Sequence, residues 1–249
     1  MLGTSGSWRI GVGGGQAVHA VLYIRDACGL SPAGIDIPPP LAGPVENVDL
    51  GLSPSDQTEA SDAWLEWWRR LVRVEGAAEL GDTLGTSSKD EYRKARTPEH
   101  RSVFDPPGFE SLASCVPLQQ AARRTSQQAL AWWDRNRRRG LQGEGVPTTF
   151  ETLEHVSHRV RGVNDPADSG DGTLPSWTSY KAVAEAVIDE YQVSPNRVKA
   201  GVIILGVTGT WSCIPEPGVL LCSEEAFADN YLFTAELKKA FETGLNRTS

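Results

Sequence analysis

Apolar residues recur with helical spacing in two long segments of this 249-residue chain. In a helix with 100° per residue, residues 61–72 form one apolar face, and the arginines of this segment largely lie outside that face. That face consists of Trp64, Leu65, Trp68, Leu71 and Val72. A helix predicted over residues 117–139 has a similar face, made of Leu118, Ala121, Ala122, Ala129, Trp132 and Trp133. Each helix therefore contributes a tryptophan pair to a predicted core.

Shorter patterns predict four further helices. One follows the first glycine-rich segment and stops at Gly29, a residue that readily takes the left-handed conformation of a helix end. Others are predicted over residues 149–160 and 179–191. The last is a carboxyl-terminal helix that Ser223 caps and that ends near Gly244.

Three short segments have the pattern of β-strands, near residues 7–12, 201–207 and 218–222. Residues 201–207 are apolar at nearly every position, which is typical of a central strand buried on both faces. The pattern predicts an α+β fold, with one mainly helical domain over residues 1–249 and a small sheet. A Pro-rich connector is expected at about 31–56 and a Gly/Asp-rich loop at about 162–172.

Composition places the chain among ordinary globular proteins, with 39% apolar and 22% charged residues. No signal peptide or membrane-spanning run is recognisable, so we expect a soluble, cytoplasmic protein. The four cysteines lack the paired spacing of a zinc site, and we expect them to be reduced, although Cys213 and Cys222 could meet across a hairpin. The arginine excess, 18 against 6 lysines, is interpreted as GC-rich coding of bacterial type.

The net charge of −8 is unevenly distributed. Residues 60–140 carry 14 basic and 11 acidic side chains, whereas residues 141–249 carry 8 and 15. Only the middle of the chain can present a basic face, and both ends would repel a polyanion. Nucleic acid is therefore an unlikely partner.

Arginines that follow the tryptophan pairs suggest an interaction surface. Tryptophan and arginine are enriched at the energetic centres of protein interfaces, and Trp67 lies at the edge of its helix's apolar face. The leading hypothesis is a non-catalytic interaction or assembly domain that binds another protein and needs no cofactor. Its predicted surface comprises Trp67, Arg69, Arg70, Arg135 and Arg138.

A glycine-rich segment between the first strand and helix gives an alternative hypothesis. Backbone N–H groups in such a loop, together with the positive end of a helix, can hold a phosphate. The candidate ligand-binding residues are Gly11, Gly13, Gly14, Gly15 and Gln16. The dinucleotide fingerprint is incomplete, because its third glycine falls on Gln16, although Asp36 lies about where its ribose-binding acid would be. The glycines could equally form only a tight turn.

A third hypothesis concerns residues 180–200, which resemble a helix-turn-helix. The segment departs from that motif at Ile188, where a small residue is usual, and at Gln192, where glycine is usual. A polar helical face with Glu151, Glu154, His155 and His158 lacks the spacing of known metal motifs and is interpreted as solvated. No complete catalytic motif occurs, so we name no catalytic residue and no metal site.

Overall fold

The computed structural model describes residues 8–49, 51–80, 108–141 and 177–247, and the side chains within these ranges except those of 137–141 and 177–178. Its strands are β1 (Arg9–Gly13), β2 (Lys199–Leu205), β3 (Ser212–Glu216) and β4 (Val219–Ser223). Its helices are α1 (Gln16–Ala27), α2 (Pro54–Leu80), α3 (Val116–Leu141), α4 (Trp177–Tyr191), α5 (Glu224–Ala228) and α6 (Asn230–Gly244). Single 3₁₀ turns lie at Glu110–Leu112 and Pro195–Arg197.

The four strands form one sheet in the order β1-β2-β4-β3. The first three strands in this order are parallel, and β3 runs antiparallel to β4. The hairpin between them turns at Gly218, whose φ of +80° is a conformation that favours glycine. The predicted α+β fold with a small sheet is confirmed. Strand β3 was not predicted, because Pro215 reads as a turn residue although an edge strand can accept it.

Helices cover both faces of the sheet. On one face, α1, α2 and α3 enclose a core to which the sheet contributes Ile203, Leu205, Val219 and Leu221. On the other face, α4, α5 and α6 enclose a second core, to which the strands contribute Ile10, Ala200, Val202, Ile204, Leu220 and Cys222. Strand β2 is buried on both faces, as its composition predicts. Cys213 and Cys222 pack into opposite cores, so they do not meet across the hairpin.

The predicted helices that fall within the described residues are found, with two differences. Helix α2 extends beyond the predicted 61–72 at both ends, from Pro54 to Leu80. The carboxyl-terminal helix is interrupted at Asp229, whose carboxylate accepts hydrogen bonds from the N–H groups of Tyr231 and Leu232 and so starts a new helix. The predicted helix 149–160, with its polar face, and the predicted loop 162–172 lie outside the described residues. None of the described helices has both the length and the apolar content needed to cross a membrane.

The last turn of α2 touches the backbone of β1 and β2 directly. A side chain at Gly11 would overlap the carbonyl oxygen of Glu79, and one at Gly13 would overlap the carboxyl group of Glu79. A Cβ at Gly201, the register partner of Gly11, would lie 3.0 Å from Glu79 Cβ. Only glycine allows this approach. The contact sets how closely the tryptophan-bearing helix lies against the sheet.

A buried arginine holds the proline-rich connector against α1. The Arg25 guanidinium donates hydrogen bonds to the carbonyl oxygens of Pro38 and Pro39, and pairs with Asp26 at 2.6 Å. Asp26 in turn accepts a hydrogen bond from the Leu41 N–H at 2.8 Å. The connector therefore has a fixed path although it contains little regular secondary structure.

We predict that Gly11→Ala destabilises the fold by about 1–3 kcal/mol, because the new methyl group would collide with helix backbone that cannot rotate away. Gly206→Ala is the matched control. Its Cβ would lie 3.5 Å from His19 Nε2 and 3.6 Å from Glu224 Oε1, which are ordinary contact distances. Urea unfolding of both variants measures the difference, and equal losses would contradict the close-contact explanation.

We predict that Arg25→Met lowers the free energy of unfolding by about 3–5 kcal/mol, because it leaves Asp26 and two connector carbonyl groups without their buried partner. Arg69→Ala is the comparison. Arg69 also pairs with a carboxylate, that of Asp36, but its side chain is 51% exposed against 5% for Arg25. Its loss should cost no more than about 1 kcal/mol. If chemical denaturation shows similar losses of unfolding free energy for Arg25→Met and Arg69→Ala, burial does not determine the strength of the Arg25 contacts.

Candidate functional site at the carboxyl edge of the sheet

Strands β1 and β2 are adjacent and parallel, and a glycine lies at the carboxyl end of each: Gly13 is the last residue of β1, and Gly206 follows directly after β2. Beyond β1 the chain continues through Gly14 and Gly15 into α1, and beyond β2 it continues through Gly206 into an exposed loop at residues 208–210. Open sheets with parallel strands usually bind their ligands outside the carboxyl ends of those strands. This edge is therefore the candidate site.

The amino end of α1 faces this edge without a side-chain cap. Gly15 is the N-cap residue, with an extended backbone (φ −77°, ψ 164°), and it supplies no capping side chain. The first turn of the helix contains no acidic residue. Its N–H groups and the helix dipole therefore provide roughly half a positive charge that no residue of that turn neutralises.

His19 ties the two glycine-containing loops together. Its Nε2 atom accepts a hydrogen bond from the Gly206 N–H at 3.0 Å, so the ring proton lies on Nδ1, which donates to the Gly15 carbonyl oxygen at 3.1 Å. The ring packs 4.4 Å from that of Trp133 and is 2% exposed. Burial lowers the pKa of His19 to about 4, so the ring is neutral at pH 7. With both nitrogens engaged, His19 positions the loops and does not serve as a base.

The β2 side of the edge is acidic. The Glu224 carboxylate lies beside Gly206, and the Glu225 carboxylate accepts a hydrogen bond from the Thr210 hydroxyl at 3.3 Å. Neither the loop that follows β2 nor α5 contains a lysine or arginine. Among the described segments that form this edge, positive potential comes from the α1 amino end.

The predicted glycine-loop residues fall into two groups. Gly11 and Gly13 are strand residues against which Glu79 packs, so close packing explains their lack of a side chain, and ligand binding by these two stays a prediction. Gly14 is buried, Gly15 is partly exposed and Gln16 is exposed, and these three remain at the candidate edge.

The acid predicted near a ribose site, Asp36, pairs instead with Arg69. The guanidinium donates two hydrogen bonds to its carboxylate, at 2.7 and 2.9 Å. These bonds hold the pKa of Asp36 below its ordinary value. The pair fixes part of the connector to α2.

The predicted interaction surface is not assembled as expected. Trp67 is 1% exposed and packs edge-on against Phe109, so its indole ring lies in the core and not on an exposed surface. The sequence places Trp67 at the margin of one helix face, but it does not reveal that a segment distant in the chain covers this side chain. Arg69 and Arg135 are exposed and Arg70 is partly buried, whereas the side chain of Arg138 lies outside the described part of the chain.

The helix-turn-helix interpretation is wrong for the segment it covers. Helix α4 ends at Tyr191, and a single 3₁₀ turn at Pro195–Arg197 leads directly into β2. The run of β-branched and apolar residues that follows pairs with two neighbouring strands instead of forming a second helix.

Within the described ranges, no group of three histidine, cysteine or acidic side chains could hold a metal ion. The residues of the edge that sequence reasoning missed are His19, Gly206, Glu224 and, beside them, Glu79. No local motif marks them, because the His19–Gly206 hydrogen bond joins positions 187 residues apart.

No protein-family model matches the chain, and no curated protein or solved structure is detectably similar to it.

We predict that acid destabilises the protein partly through His19. The unfolded chain takes up this proton near pH 6.5, whereas the folded chain takes it up only near pH 4. The contribution of the neutral ring is therefore complete above pH 6.5 and is lost as the pH falls towards 4, by at most about 3 kcal/mol. His19→Gln keeps an acceptor but cannot titrate. Chemical denaturation between pH 7.5 and 4 should show a steeper loss for the wild type, and parallel curves would contradict the prediction.

Proposed function

We propose that this chain is a binding protein for a small polar molecule with an acidic group, held at the carboxyl edge of β1 and β2. The observation that carries the proposal is the position of the α1 amino end. It lies at the carboxyl edge of two adjacent parallel strands, and Gly15 leaves it without a side-chain cap. Helix ends in this position supply N–H donors to ligand oxygens.

The surrounding charges narrow the class of ligand. Glu224 and Glu225 place two carboxylates on the β2 side of the edge. A polyphosphate would meet these carboxylates, so a carboxylate or a phosphate monoester fits better than a nucleoside triphosphate. The same carboxylates accept hydrogen bonds, which favours a ligand that also carries hydroxyl or amino groups.

The hypothesis of a protein-interaction domain stays a prediction. The burial of Trp67 removes the main reason for it, and five of the seven tryptophans with described side chains lie in the cores. The exposed Arg135 alone does not define a surface. Ligand binding at the carboxyl edge is therefore the function that the geometry supports best.

The test is an amide NMR titration of the wild-type protein with four probes: L-lactate, L-serine, glucose 6-phosphate and AMP. At least one probe should cause saturable shifts that centre on residues 14–19 and 206–210. The first two probes carry a carboxylate and the last two a phosphate, so the pattern also identifies the acidic group.

Two variants at Gly15 locate the binding site. Gly15→Asp adds a carboxylate that caps α1 from within and repels an anion, so we predict at least a tenfold loss of affinity with stability unchanged within a few tenths of a kcal/mol. Gly15→Ala is the control and adds bulk without charge. The proposal is overturned if no probe binds, if shifts centre elsewhere, or if Gly15→Asp binds as the wild type does.

A further inference from the structure

Glu79 occupies a groove made by three glycines. Its carbonyl oxygen lies over Gly11, its Cβ over Gly201 and its carboxyl group over Gly13. One turn earlier, Gly76 packs against Val219. A Cβ added to Gly76 would lie only 2.6 Å from Val219 Cγ2. The end of α2 is therefore seated on the sheet with no intervening side chain, and it carries an ionisable group into the contact.

Few other charges face this groove from the described elements. By strand alternation, Arg9 on β1 and its register partner Lys199 on β2 lie on the same face as Gly11 and Gly201. Arg9 is exposed and Lys199 is partly buried, and both stand at the opposite end of the strands from Gly13. On α2 itself, the buried Glu75 lies one turn before Glu79 and adds a like-charged neighbour when both are ionised.

We propose that the last turn of α2 is a proton-dependent contact, seated on the glycine groove while Glu79 carries its proton and released from it when the carboxyl group ionises. The inference is independent of ligand binding at the carboxyl edge.

The direction follows from where the proton binds. Burial raises the pKa of Glu79 from an ordinary value of 4.5 to about 7, and Arg9 offsets only part of this effect. The seated form is thus favoured at low pH. The stability that the protonated Glu79 side chain gives to the seated turn is lost as the pH rises through 7. Release of one helical turn returns the carboxylate to water. It also removes Leu80 from the core, but it leaves Trp64, Trp68 and Leu71 there and Gly76 against Val219, so the change stays local.

Hydrogen–deuterium exchange of the full-length protein tests the proposal. Protection of amides in residues 71–80 is measured at pH 6 and pH 8, after correction for the intrinsic exchange rate. In the wild type, protection at the end of α2 should fall at least fivefold at pH 8, where about nine-tenths of the Glu79 side chains are ionised. Peptides from β2 and α1 should keep their protection.

Two isosteric variants separate Glu79 from other titrating groups. Glu79→Gln should be protected equally at both pH values, because an amide cannot ionise. Glu66→Gln changes an exposed glutamate of the same helix and should respond to pH as the wild type does. The proposal is overturned if wild-type protection does not change between pH 6 and pH 8, or if Glu79→Gln shows the wild-type loss.

Discussion

The architecture depends on a direct backbone contact between the end of α2 and the glycines of β1 and β2. Because the strands present no side chain there, α2 lies close enough for Trp64 to reach α1. The Trp64 indole N–H donates a hydrogen bond to the Val21 carbonyl oxygen at 2.9 Å. Helix α1 is consequently buried on almost every side. A bulkier strand would lift α2 and open the core that three helices share.

The same contact explains which features the sequence could reveal. Helical faces such as that of α3 depend on residues within one element, and the periodicity of apolar residues located them correctly. Gly29 was also recognisable, since its φ of +59° is a local property of a helix end. Strand β3 was missed because its pairing with β4 decides it. The break at Asp229 is a local N-cap signal that apolar periodicity alone does not detect.

In the candidate site, contacts between distant segments decide even more, and the local sequence does not reveal them. A glycine needed for phosphate binding and a glycine needed for close packing look identical in one sequence, and here Gly11 and Gly13 are of the second kind. The acidic group that distinguishes the two, Glu79, lies more than 60 residues later in the chain. Likewise His19 looks like any histidine on a buried helix face until Gly206 is placed beside it.

The carboxyl edge is held in shape by groups that contribute no charge to it. His19 joins the loops as a neutral ring. The connector that Arg25 holds in place also pairs with the loop after β2. The Ala42 N–H donates a hydrogen bond to the Gly206 carbonyl oxygen, and the Thr208 N–H donates one to the Pro40 carbonyl oxygen, both at 2.8 Å. Attraction for an anion is therefore left to the α1 dipole, which is opposed by nearby carboxylates. Such a balance gives little affinity for charge itself, so discrimination among ligands would depend on hydrogen bonds to their hydroxyl or amino groups and on the rigid spacing of the two loops.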